Sequence, residues 1–148
     1  AHHSDITNLV RDNGTPVANE SVDGATCSNV LYLLSQEKVT LFFKAANRVL
    51  QRGAPLSISS MLETTPEAHA DFLTSVYDET RKLEVSGQVP PGSTAILASA
   101  NNRLVQQSPT FFSFSKIVEI AKANGFSVLK QPQFVYGEAG FFVVFKKN

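Results

Sequence analysis

Tryptophan is absent from this sequence, and cysteine occurs once, at Cys27. A single thiol cannot close an intrachain disulfide, so the fold must rest on its apolar core, a pattern that suits a reducing, cytoplasmic compartment. An excess of either charge is also lacking: 13 Lys and Arg balance 13 Asp and Glu over 148 residues. Without a basic stripe there is no electrostatic footprint for nucleic acid, and none is expected as a partner. No apolar run approaches the roughly 20 residues that span a bilayer, and the N-terminus has no secretory pattern, so no membrane partner is expected. Glycine is sparse, with eight in the chain and no G-x-G or G-x-G-x-x-G after a strand signal. The backbone cradle that such motifs build for phosphates is therefore not seen in the sequence. His2 and His3 are adjacent, as in a tag remnant, and His69 stands alone on a helical pattern, so no metal site is expected.

What is present points to one α/β core. Hydrophobic residues make up 43% of the chain, enough for one core and, at this length, too little for two ordinary domains. Residues 22–61 carry two strand signals joined by a helical one. Val22 to Asn29 is a short apolar run ending in the polar pair Ser28-Asn29, as at the rim of a sheet. A turn over Val30 to Leu34 leads to a helix capped by Ser35, with Glu37 in the first turn, where the helix dipole favours a carboxylate. Val39, Phe42, Phe43, Ala46, Val49 and Leu50 recur at the spacing of one buried helical face. Arg48 and Arg52 close the pattern and Gly53 is its stop. Pro55 to Met61 then reads as a second strand. Strands joined by a helix of this length are parallel neighbours, so the unit predicts an open α/β sheet.

Downstream, Thr64 or Thr65 caps a helix with Pro66 in its first turn and an apolar face of Ala68, Phe72, Leu73, Val76 and Tyr77. Gly87 and Pro90-Pro91-Gly92 break the chain, and this break is the expected mobile loop. A second helical pattern runs from Thr94 to about Gln107 through Ile96, Leu97, Ala100, Leu104 and Val105, and stops at Ser108-Pro109. Ser115 is the expected cap of a last helix, with Ile117, Ile120 and Ala121 inward and Gly125 as its stop. Phe126 to Tyr136 and Gly140 to Lys146, joined through Gly137-Glu138-Ala139, predict an antiparallel hairpin. The expected fold class is α/β, a mostly parallel sheet with flanking helices and a C-terminal antiparallel hairpin. It forms a single domain or a partial one spanning residues 1–148.

Ser28-Asn29-Val30-Leu31-Tyr32 is followed by an amphipathic helix closing on Ala46-Asn47-Arg48-Val49-Leu50-Gln51-Arg52-Gly53, and then by a strand. That order resembles the middle of the class I, Rossmann-like, S-adenosylmethionine-dependent methyltransferases. Where the family has a second glycine after the helix, this chain has Ala54. Asn124-Gly125-Phe126-Ser127-Val128 resembles the opening of the family's sixth strand. Gly140-Phe141-Phe142-Val143-Val144-Phe145-Lys146-Lys147 resembles its seventh, the one antiparallel strand, which is inserted next to the fifth. Ser4-Asp5-Ile6-Thr7-Asn8-Leu9 stands where the family has a short acidic motif after its third strand, and Asp23 stands at the acid opening the fourth. The resemblance runs from Ser4 to the C-terminus, with residues 62–110 its least specific part. It implies the C-terminal half of the fold, because the family's glycine-rich loop and the acid ending its second strand would lie before residue 1.

The same resemblance implies S-adenosylmethionine as cofactor. Asp5 would accept a hydrogen bond from the adenine amino group, and the backbone of Ile6 would meet a ring nitrogen. Asn29 and Tyr32 would line the cleft just past the strand, Asn29 as a cofactor contact and Tyr32 as a contact of a small-molecule substrate. With the ribose and methionine ends unheld, weak or no binding by the chain alone is expected. Judged by residue type alone, Asp5 is an exposed or capping acid, Asn29 a strand-end cap and Tyr32 a packed aromatic ring. Cys27 has no neighbouring histidine and reads as a buried structural thiol. Phe111, Phe112 and Phe114 read as core before they read as a stacking platform for a flat substrate. Methyl transfer needs a bound donor, an acceptor held in line and at most a base, and no catalytic residue is assigned.

One further expectation concerns assembly. Val22 to Asn29 reads as apolar enough for burial on both faces, yet only one neighbouring strand can be found for it. Its open edge calls for a partner, either a missing N-terminal half or a second copy pairing through strand 22–29. Two readings follow: the C-terminal portion of a methyltransferase, or a non-catalytic binding or assembly module that uses the open edge.

Overall fold

In the computed structural model, which describes residues 7, 9–10, 13–106, 109–135 and 138–148, the β-α-β unit forms as its pattern dictates. Strands β1 (Ala25–Ser28) and β2 (Pro55–Met61) pair in parallel, with Thr26 opposite Ser57 and Ser28 opposite Ser59. Between them lies α1 (Gln36–Val49), whose Ser35 hydroxyl accepts from the Lys38 amide at 3.4 Å. Val39, Phe42, Phe43, Ala46 and Val49 are buried as the spacing requires, and Ala45 joins them. The Phe43 ring meets Phe126 and Phe145 edge-on, with centroids 5.7 and 5.9 Å away. Full burial of one such ring contributes about 1.5–3 kcal/mol, so these aromatic residues carry much of the core.

The C-terminal hairpin consists of β3 (Phe126–Val135) and β4 (Gly140–Lys147). Sheet order is β1-β2-β4-β3, so β4, antiparallel to both neighbours, is inserted beside β2. Cys27, Leu56, Ile58, Phe141, Val143 and Phe145 supply the core from the strands. The outermost strand, β3, contains Pro132 and two register irregularities, which an edge position tolerates because a missing N–H there breaks no interior ladder.

Three expectations need correction in this part of the chain. The first strand begins at Ala25, not Val22, because residues 20–22 spend their backbone on the end of α1: the amides of Glu20, Ser21 and Val22 donate to the carbonyls of Arg48 and Val49. The strand is also buried on one face only, with Cys27 inside and Thr26 and Ser28 exposed. The last helix, α4 (Phe114–Ala123), is capped by Ser113, whose hydroxyl accepts from the Lys116 amide at 3.3 Å; Ser115 sits inside the first turn. After α4, Gly125 adopts φ +83°, and a Cβ there would lie 2.6 Å from Nδ2 of Asn47.

The chain divides into two compact units, Ala1–Leu62 with Thr110–Asn148, and Glu63–Pro109. The second unit holds α2 (Pro66–Val85), capped by the Thr65 hydroxyl, and α3 (Ser93–Gln106). None of its described side chains is fully buried. Ala68, Ile96 and Val105, expected on apolar faces, are exposed, Ile96 at 68%. Two helices share one seam and enclose no interior, so apolar residues off that seam stay in water. The break between the helices is hydrogen-bonded throughout. Ser86, Gly87 and Gln88 donate back to carbonyls of α2, and the Glu84 carboxylate takes the amides of Gly92 and Thr94. Among the described residues, no helix is long and apolar enough to cross a membrane.

Candidate functional site

Parallel strands gather their carboxyl ends on one rim, and ligands of open α/β sheets bind just outside it. At the end of β1, Asn29 donates its amide to the carbonyl of Ser59 at 2.8 Å, continuing the ladder by one residue. It then turns the chain with φ +54°, a left-handed conformation that asparagine accepts more readily than most residues. Its side chain is exposed on the rim.

A single 3-10 turn follows over Leu31–Leu33. Leu31 is wholly buried and anchors the turn in the core, which leaves Tyr32 half-buried beside the rim. The Tyr32 carbonyl accepts from the Thr110 amide at 2.8 Å, tying residues 110–112 to the same place. That segment runs parallel to the end of β2, with Phe112 bridged to Leu62. In extended chain alternate side chains point opposite ways. Phe112 enters the core, and Phe111 lies against Tyr32 with ring centroids 5.9 Å apart and planes 19° from parallel, an offset stack. Phe114 turns inward, edge-on to Phe141 and Phe134.

Burial pushes the Tyr32 phenol above its ordinary pKa, so it is a neutral hydroxyl at physiological pH. That hydroxyl makes no hydrogen bond among the described residues. No charged side chain occurs in residues 29–34 or 110–112. These two segments are therefore neutral and aromatic, with Asn29, Tyr32 and Thr110 as their polar side chains.

Asn29 and Tyr32, both read from the sequence as cleft residues, lie on this rim. Asp5 and Ile6 lie outside the described residues. Phe111 escaped selection because three closely spaced phenylalanines look alike in sequence; the signal was the two-residue alternation that sends Phe112 in and Phe111 out. Cys27 is buried, and desolvation pushes its thiol up to about 11, as a structural cysteine requires.

These features define a class. A sheet in which an antiparallel last strand is inserted beside the second of two parallel strands, with a polar rim after the first, has the fold of S-adenosylmethionine-dependent methyltransferases. Among solved structures, a possible exported protein from Bordetella parapertussis is similar over 97% of this chain, with a TM-score of 0.61 and 15% identity. Magnesium protoporphyrin IX methyltransferase from Synechocystis, solved with bound SAH, matches 98% of it, with a TM-score of 0.52 and 16% identity. A methyltransferase from Thermotoga maritima, described as a possible histamine N-methyltransferase, matches 90%, with a TM-score of 0.54 and 16% identity. The chain spans only 42%, 49% and 59% of those three proteins. No protein-family profile matches the sequence, and no curated protein matches it.

Proposed function

We propose that this chain is the C-terminal half of a class I S-adenosylmethionine-dependent methyltransferase acting on a small molecule. The observation that carries the reading is the strand order β1-β2-β4-β3 with Asn29 and Tyr32 on the rim after β1. The described residues fit one side of such a cofactor. Asn29 is exposed at the strand end, but no glycine-rich turn follows any described strand. When bound, the cofactor supplies an electrophilic methyl group. The work left to this chain is to hold an acceptor at the rim, with Tyr32 as a neutral hydrogen-bonding group and the aromatic wall keeping water away.

A second reading has its own support. Among the described residues β1 lies at the edge of the sheet, and an edge strand leaves backbone groups that a further strand can pair with. In this reading the chain is a binding or assembly module, and a second copy or a separate N-terminal half completes the sheet.

Calorimetry with S-adenosylhomocysteine separates the two, run on the chain alone and on the chain joined to whatever segment its gene encodes upstream. The methyltransferase reading expects little or no binding by the chain alone and clear binding once the upstream segment is added. Absence of binding in both samples, with a dimer seen by light scattering, overturns it in favour of the assembly module.

A further inference from the structure

Asparagine is followed by glycine twice in this chain, at Asn13-Gly14 and at Asn124-Gly125, and the fold treats the two pairs oppositely. We infer that Asn13 is a site of self-modification: in the folded chain it deamidates to aspartate and isoaspartate with Thr15 as the oxyanion donor, while Asn124 is preserved.

The reaction is an attack by the Gly14 main-chain nitrogen on Cγ of Asn13. The nitrogen gives its proton to a solvent base, the new N–Cγ bond closes a cyclic imide, and Nδ2 takes a proton from water and leaves as ammonia. Water then opens the imide. Breaking the new N–Cγ bond leaves aspartate, and breaking the original peptide bond leaves isoaspartate, with the main chain rerouted through Cβ and Cγ.

The surroundings of Asn13 favour each part of this. Glycine has no Cβ to shield its nitrogen, and Gly14 is open as well: φ is +79°, and a Cβ there would meet nothing within 4 Å. Asn13, Gly14 and Thr15 are all exposed, so base and water reach them. Negative charge builds on Oδ1 of Asn13 as the nitrogen adds. That oxygen already accepts the Thr15 hydroxyl at 2.7 Å and the Thr15 amide at 3.1 Å. Donors set in advance on an atom that becomes an oxyanion lower the barrier to attack.

Asn124-Gly125 has the same two residues and none of this freedom. The Gly125 amide, the nucleophile in that pair, donates to the Lys122 carbonyl at 3.2 Å. Nδ2 of Asn124 donates to the Ile120 carbonyl at 2.8 Å, and the Asn124 carbonyl accepts from Asn47 at 3.0 Å. Ring closure there must first break the bonds that end α4. At Asn13 the affected loop instead joins Val10 to Pro16, bridged antiparallel, with the Val17 amide on the Leu9 carbonyl at 3.0 Å. Isoaspartate lengthens the main chain of that loop by one carbon, and either product adds a negative charge to a chain whose formal net charge is zero.

The test incubates the folded 148-residue chain at pH 8 and follows the amide-to-acid mass change at each asparagine by peptide mass spectrometry. Electron-transfer fragmentation separates isoaspartate from aspartate. We expect Asn13 to convert at least about tenfold faster than Asn124, and faster as pH rises, because base removes the Gly14 proton. In urea both pairs are released and their rates should converge. Thr15→Val keeps the side-chain shape and the amide but loses the hydroxyl. It should slow Asn13 about three- to tenfold in the folded chain and change nothing in urea. Circular dichroism and the urea midpoint establish that the variant is folded. An unmodified Asn13, equal rates at the two asparagines of the folded chain, or a folded Thr15→Val chain that converts as fast as the unaltered one overturns the inference.

Discussion

Glu84 caps the helix that follows its own. From the end of α2 its carboxylate accepts the Thr94 hydroxyl, the Thr94 amide at 3.0 Å and the Gly92 amide, filling donors that the first turn of α3 would otherwise leave open. The negative charge also meets the positive end of the α3 dipole. A capping residue nine positions upstream of its helix is not a local motif.

These bonds hold the Glu84 carboxyl below its ordinary pKa, with the Thr94 hydroxyl as the largest cause and the Thr94 and Gly92 amides next. A depressed carboxylate contributes its stabilisation above the unfolded pKa and loses it as pH falls through the folded value. Acidification below about pH 4 should therefore loosen the start of α3. Protection of the Gly92 and Thr94 amides, measured against the intrinsic exchange rate at each pH, is expected to fall across that range in the unaltered chain. In Glu84→Ala that protection should be low at every pH, and unchanged protection would refute the cap.

Gly125 should tolerate no side chain. An alanine would need φ +83° and would place Cβ 2.6 Å from Nδ2 of Asn47, which is itself held by donating to the Asn124 carbonyl at 3.0 Å. Left-handed backbone and overpacking together predict a loss of about 2–4 kcal/mol for Gly125→Ala. Urea unfolding measures it. Asn47→Ala in the same chain should recover the steric part and leave the backbone part.

Cys27 should be chemically silent in the folded chain. Its thiol is 4% exposed and its pKa is pushed up to about 11 by desolvation. Ellman's reagent at pH 8 is expected to label it only in denaturant. A raised folded pKa means that stability is complete below the unfolded pKa and falls as pH rises through the folded one. Between pH about 9 and 11 the chain should lose about 2–3 kcal/mol that Cys27→Ala does not lose. Rapid labelling of the native chain would show the thiol to be accessible.

Lys147 and Glu20 should contribute unequally. The Lys147 ammonium is buried and donates to the Leu50 carbonyl at 2.8 Å and to Glu20 Oε1 at 3.0 Å, while the Glu20 side chain is 65% exposed. Screening leaves the ion pair worth less than about 1 kcal/mol, so Glu20→Gln should be mild. Lys147→Met strips a buried carbonyl of its donor and should cost about 1–3 kcal/mol. The order of the two urea midpoints decides it.

Much of the fold was legible in the sequence because its signals are local. The spacing of Val39, Phe42, Phe43, Ala46 and Val49 implied α1 and its buried face, Ser35 marked its start, and the cap of α2 is Thr65 of the expected pair Thr64 and Thr65. The span Pro55–Met61 emerged unchanged as β2. Errors arose where a residue's partner is distant in the chain. Val22 has strand composition, but its backbone is taken by Val49 and Gln51. Ile96 and Val105 repeat like core residues, yet their unit has no interior to receive them. Asn29 and Tyr32 could be placed at the end of a strand, while nothing near Phe111 announced that it would meet Tyr32.

The sequence by itself determined where α1 and α2 start, which side of α1 is apolar and that two strands run parallel, since neighbours in the chain settle each of these. Tertiary structure alone decided that Gly125 must clear Asn47 and that Phe111 stacks on Tyr32. Each of the latter joins residues dozens of positions apart, and such contacts exist only after the shared core has closed around them.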